Sequence, residues 1–131
     1  MIGYHYSPFA NYDSIKTYGL LVPTKHPVLT TPMVCSEGHR NPHISLGRTP
    51  SMAWELSGGF LIRRAKEQGE LDSIELPMRW DLYEVDLGAT VYRRQNYERI
   101  RHNLCGYDEL QVRVDIPKFR VTRVGQRWAL D

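Results

Sequence analysis

Two groups of side chains in this sequence could do chemistry. The first is a set of isolated polar residues in strand-like runs. His5 sits in Gly3-Tyr4-His5-Tyr6-Ser7-Pro8, where an imidazole can either hold a ligand or rest buried against a backbone carbonyl. Asp108 and Glu109 open a second run, and period-two alternation turns only one of the two carboxylates inward. Ser45, in His43-Ile44-Ser45-Leu46-Gly47, is small enough to serve close packing alone. The second group is softer. Cys35, His39 and His43 lie four residues apart, with His26 upstream and His102 and Cys105 downstream. Thiolate plus imidazole is zinc chemistry. The spacing, however, departs from the short-spaced ligand pairs of structural zinc sites, and Pro42 interrupts any helix that would align His39 with His43, so no metal is expected. Arg40 and Arg48 are alternative candidates for a nucleotide diphosphate, because a planar guanidinium matches phosphate oxygens.

The elements that must position these groups follow from pattern. Residues 2–6 read as a first strand, stopped by Ser7-Pro8. Asn11 or Asp13 can cap a short helix over residues 14–18, Gly19 ends it, and Leu20-Leu21-Val22 packs back. Residues 23–42 form a long polar stretch of the kind that often carries function. Thr49 caps and Pro50 opens a helix with Ala53, Trp54 and Leu56 on its apolar face, weakened at Gly58-Gly59 and ending at Gly69. Trp54 reads first as core and second as a stacking platform. Residues 80–87 alternate, with Tyr83, Val85 and Leu87 on one side and Leu82, Glu84 and Asp86 on the other. Gly88-Ala89 turns the chain, and residues 97–103 are expected as a short helix. Residues 108–114 alternate again, as Leu110, Val112 and Val114 against Gln111 and Arg113. A last strand carries Phe119, Val121 and Val124. Helices early and strands late predict an α+β domain with a mainly antiparallel sheet.

The 131 residues suit a single domain over 1–131 with a real core. A net charge of +2 argues against nucleic acid as the main partner on charge alone. The basic residues after Thr90, from Arg93 to Arg127, read as a solvated face or an anion-facing surface. Two cysteines make no disulfide framework, and no apolar run approaches membrane-spanning length, so a cytoplasmic protein without a membrane partner is expected.

The order of these elements resembles the ADP-ribosyltransferase superfamily, which includes poly-ADP-ribose polymerases and bacterial mono-ADP-ribosylating toxins. Three short motifs carry the resemblance: Tyr4-His5-Tyr6-Ser7 with Ile15…Gly19-Leu20; Ile44-Ser45-Leu46-Gly47 with Thr49-Pro50-Ser51-Met52-Ala53-Trp54; and Tyr107-Asp108-Glu109-Leu110-Gln111-Val112. The resemblance implies a split, mainly antiparallel sheet with two or three helices. It also implies cleavage of the nicotinamide–ribose bond of NAD, used as co-substrate, and transfer of ADP-ribose to a protein or nucleic acid acceptor. A small toxin- or phage-type modifier is the nearest kind. In that reading Glu109 stabilises the oxocarbenium-like ribose, His5 holds the ribose next to the adenine, and Ser45 fixes the strand facing the nicotinamide ribose. The backbone of Tyr6, with Ser7, Arg48, Ser51 and Trp54, completes the NAD-binding set. A serine at 45 and a tryptophan at 54, where the polymerase branch has tyrosines, and Tyr107 in place of a second acid mix features of two branches and leave the acceptor open. The alternative is a module of the same fold without turnover that binds a nucleotide, nucleic acid or host protein through its arginine-rich later strands. A third alternative, a zinc-stapled nucleic-acid binder, requires the cysteines and histidines to hold a metal against their spacing.

Overall fold

The computed structural model describes residues 1–22, 42–70, 72, 78–97 and 107–129. Within them the chain is α+β. The strands are β1 (Ile2–Pro8), β2 (Ile44–Gly47), β3 (Met78–Asp86), β4 (Arg93–Tyr97), β5 (Tyr107–Val112) and β6 (Val121–Ala129). The helices are α1 (Tyr12–Tyr18), α2 (Pro50–Glu55) and α3 (Gly58–Glu67). Among the described residues the strands form one antiparallel sheet in the order β4-β5-β2-β1-β3-β6. Its centre is narrow. β1 pairs with β3 along its whole length, from Ile2↔Asp86 to Pro8↔Trp80, but meets β2 only at Tyr4↔Gly47. Two three-stranded halves thus join at a single pair, and beyond Tyr4 the ladder between β1 and β2 lapses.

Each face of the sheet buries a cluster of its own. Leu46, Val85, Leu87, Leu110, Val112 and Ile116 are fully buried on the α1 side with Ile15, Leu20 and Tyr83. On the other side Tyr6, Trp80 and Ala129 pack with Ala53, Trp54 and Ile62 of α2 and α3. Each such aliphatic side chain contributes on the order of 1.5–3 kcal/mol by leaving water.

Local chemistry explains most boundaries. Thr49 Oγ1 accepts from the Met52 amide at 3.1 Å and Pro50 occupies the first helical position, as expected. Asn11 precedes α1 but does not cap it; its amide donates to Ser7 Oγ at 2.9 Å instead. β1 runs past Ser7 to Pro8, because the missing proline donor falls at the end of the strand. The single helix expected from Pro50 to Gly69 is two helices. A Cβ on Gly58 or Gly59 would lie 2.6 Å or 2.8 Å from the Trp54 ring, so these glycines make room for the indole rather than merely weakening a continuous helix. Residues 93–97 are strand β4, a polar edge paired with β5, so Tyr97 ends a strand instead of opening the helix expected over 97–103. Phe119 lies in a 3-10 turn ahead of β6, and Val114 lies beyond the end of β5 and is exposed. Of the basic residues after Thr90, Arg93, Arg94, Arg113, Lys118, Arg123 and Arg127 are exposed. Among the described residues no helix is long and apolar enough to cross a membrane.

Gly19 ends α1 at φ +82°, and its amide donates to the Ile15 carbonyl at 2.8 Å. A Cβ there would lie 2.1 Å from the Ile116 carbonyl oxygen. That oxygen also accepts the Leu20 amide at 2.9 Å, so it has no room to retreat. Gly19→Ala combines a disfavoured backbone with a clash and is expected to cost roughly 2–5 kcal/mol, read as a lowered denaturant midpoint with unchanged slope.

Candidate active site

β5 is an interior strand, hydrogen-bonded along both edges, by β4 on one side and β2 on the other. Leu110 and Val112 enter the α1-side core, and alternation sends Glu109 and Gln111 to the opposite face. The register places Ser45 beside Gln111 and Gly47 beside Glu109. Four polar side chains therefore gather where β2 and β5 meet. The Ser45 hydroxyl donates to Glu109 Oε2 in a short hydrogen bond. The Gln111 amide donates to Glu109 Oε1 at 2.6 Å, and His43 Nε2 lies 3.8 Å from Oε2. Glu109 and Gln111 are each 1% exposed, and Ser45 is the partly exposed member that leads to the surface.

His5 meets this group at one point, the Ser45 main chain. Its Nδ1–H donates to the Ser45 carbonyl at 2.8 Å, across the gap where strand pairing has stopped. The carbonyl can only accept, so the proton sits on Nδ1 and Nε2 carries the lone pair. Burial lowers the His5 pKa against the opposing pull of that carbonyl bond, so the ring is neutral near pH 7. A neutral ring with its lone pair on Nε2 is an acceptor for a hydroxyl.

Burial alone would push the Glu109 carboxyl up. The donors around it, His43 first and then Ser45 and Gln111, outweigh burial and hold it below its ordinary value of 4.5. The acid is thus an anion at neutral pH although it is enclosed. Both shifts act on stability in the same direction. A depressed folded pKa contributes stability above the unfolded value, and that contribution is lost as pH falls toward the folded one. His5 therefore begins to destabilise the fold below its ordinary 6.5, and Glu109 below 4.5. Denaturant midpoints are expected to fall from pH 7 toward pH 4 and more steeply below it. Glu109→Gln should flatten only the lower limb.

Of the residues expected to bind or act, the structure brings the Ser45 and Glu109 side chains together; His5 reaches them only through the Ser45 backbone carbonyl, since its register beside Tyr83 sets its side chain toward the α1 side of the sheet. Tyr6 and Ser7 follow His5 along β1 and are buried. Trp54 is a core residue here. Its ring meets Tyr6 edge-on at 5.1 Å and Trp80 at 5.8 Å, and the Arg127 guanidinium lies 4.2 Å from its centre, so it offers no open face for nicotinamide. Arg48 and Ser51 are exposed, at the end of β2 and the start of α2, and neither joins the network. Asp108 faces the other way and pairs with Arg94 at 2.5 Å, which leaves Glu109 as the inward acid. The zinc candidates Cys35, His39, His26, His102 and Cys105, and Arg40 of the diphosphate reading, lie outside the described residues. His43 is beside Glu109, and among the described residues no three metal-ligating side chains cluster. Gln111 and His43 are the members that sequence reasoning did not assign to this site. The signal was present as Glu109-x-Gln111, two polar residues at strand spacing on one face.

No protein-family model, curated protein or solved structure matches the chain.

Proposed function

We infer that the chain is an NAD-dependent mono-ADP-ribosyltransferase acting on a macromolecular acceptor. One observation carries the reading. Three residues from segments 40 and 64 positions apart, each picked out by the resemblance, form one hydrogen-bonded chain: His5 to the Ser45 carbonyl, and the Ser45 hydroxyl to Glu109. A sheet of two halves joined at one pair also agrees with the split sheet that the resemblance implies.

The residues suit the reaction in specific ways. Loss of nicotinamide leaves positive charge on the ribose, and an anion held close by lowers the barrier electrostatically. Glu109 supplies that anion, kept ionised by its donors. Its enclosure means that a ribose hydroxyl reaches it by taking the place of the Ser45 hydroxyl, an exchange of like for like in which the carboxylate stays hydrogen-bonded. His5 Nε2 accepts from a second hydroxyl and positions the dinucleotide, while the β1 backbone beyond Tyr4 lacks a β2 partner among the described residues and suits the carboxamide. Arg48, exposed just after β2, is assigned to the diphosphate in this reading, because a guanidinium matches phosphate oxygens.

Incubation of the purified chain with NAD, followed by chromatography for nicotinamide and mass spectrometry of added protein and nucleic acid, tests the reading. Free nicotinamide with a mass increase of one ADP-ribosyl group on an acceptor supports it. Intact NAD across the range of acceptors contradicts it and favours the binding module instead.

A further inference from the structure

A cavity of about 310 Å³ opens between α1, the middle of β3 and the start of β6. Its back wall, Ile15 and Val121, belongs to the α1-side core. Glu109 and Gln111 leave β5 on the other face, and none of Ser45, His43, Glu109 or Gln111 lines it. The mouth carries Lys16 from α1, Lys118 from the 3-10 turn and Arg123 from β6, and among the described residues no carboxylate lines the cavity. Three like charges converging on one opening repel each other, so something must hold them. Tyr12 does part of this: the Arg123 guanidinium lies 4.7 Å and the Lys16 ammonium 5.9 Å from its ring centre. The nearby acid, Asp81, is fully buried. It accepts from Arg79 at 3.1 Å and forms an ion pair with Arg123 at 3.8 Å; one carboxylate shared between two guanidiniums leaves the mouth, with Lys16 and Lys118, net positive. Tyr83 also lines the cavity, with a buried hydroxyl that has no hydrogen-bond partner among the described residues. Burial, and then the Asp81 charge, push its ionisation up to about 12, so it adds no negative charge at neutral pH.

We propose that this cavity is a second ligand site, distinct from the Glu109 network, that binds the phosphate of a sugar phosphate through Arg123, Lys16 and Lys118. A guanidinium fork beside two ammonium groups matches the tetrahedral, doubly charged oxygens of a phosphate monoester. The volume sits at the lower end of small-molecule pockets, larger than a bare anion needs and close to what a phosphate with one sugar requires. Two sources share this chemistry, a free sugar phosphate and the terminal phosphate of a nucleic acid strand.

The test is amide NMR titration of the full chain with inorganic phosphate, ribose 5-phosphate, ribose, and a short single-stranded thymidylate with and without a 5′-phosphate. Saturable shifts at Lys16, Lys118 and Arg123 are expected, with ribose 5-phosphate binding more tightly than phosphate and ribose not binding. Lys16→Ala and Lys118→Ala, both at exposed positions, should each weaken the interaction roughly tenfold, and Arg113→Ala, exposed outside the cavity, should not. Both lysine variants, and Glu109→Gln for phosphate binding, separate this site from NAD cleavage: each should lose one property and keep the other. A 5′-phosphate-dependent response to the thymidylate supports the site and gives nucleic acid as the source. A response to the sugar phosphate alone supports it and gives a free metabolite. Absence of shifts at these residues, ribose binding as well as ribose 5-phosphate, or equal weakening by Arg113→Ala overturns it.

Discussion

Glu109→Gln is expected to lower nicotinamide release from NAD by about 10²–10³-fold while leaving the fold and NAD affinity close to those of the parent chain. Glutamine has the shape of glutamate; its Oε1 can still accept from the Gln111 amide, and its NH2 can donate to the Ser45 hydroxyl, which accepts as well as donates. What it lacks is the negative charge, which acts on the ribose only as the bond to nicotinamide breaks. An effect on turnover without a matching effect on binding is therefore the signature of transition-state stabilisation. Chromatographic assay of nicotinamide beside calorimetric NAD binding separates the two. Undiminished turnover in the variant would remove Glu109 from the chemistry.

Trp54→Ala carries the largest expected cost in stability, about 3–5 kcal/mol. The indole is 7% exposed and lies between Tyr6 of β1 and Trp80 of β3, with Gly58 and Gly59 of α3 closing over it. Truncation would leave a cavity at the junction of α2, α3 and the sheet, and the two glycines supply no side chain to fill it. That is a large share of a typical domain's stability of roughly 5–15 kcal/mol. Trp54→Phe should lose much less, because a ring still meets Tyr6 and Trp80. Denaturant unfolding of the two variants checks this order. A small loss in Trp54→Ala would mean that the indole does not hold the helices to the sheet.

The two residues fare differently as readings of sequence. Alternation alone leaves Asp108 and Glu109 open, since Asp108 has the parity of Leu110 and Val112; the resemblance points to Glu109, and the pairing of Asp108 with Arg94 leaves Glu109 as the enclosed acid. Sequence alternation sets Gln111 opposite Leu110 and Val112, and that second face is buried as well, where Gln111 meets Glu109 beside Ser45. Alternation reports two faces and says nothing of what covers the second. His43 was read with Cys35 and His39 because spacing along the chain was the only guide, whereas its neighbour in space comes from a strand 66 residues later. β4 escaped notice for a related reason. Arg93–Tyr97 has neither an apolar face nor a helical period, and it becomes a strand through its pairing with β5. The end of α1 was legible, because the backbone at Gly19 demands glycine locally, and its contact with Ile116 adds to that demand.

The central claim is that His5 and Glu109 serve one dinucleotide site. The most direct measurement is ring-nitrogen NMR of His5 in Glu109→Gln as NAD is added, since this variant is expected to bind without consuming it. The account predicts a neutral ring at pH 7 with the proton on Nδ1, and a saturable shift at Nε2 as it accepts a hydroxyl, with Nδ1–H still bonded to Ser45. A His5 ring that does not respond to NAD, or one that is protonated at pH 7, would contradict it.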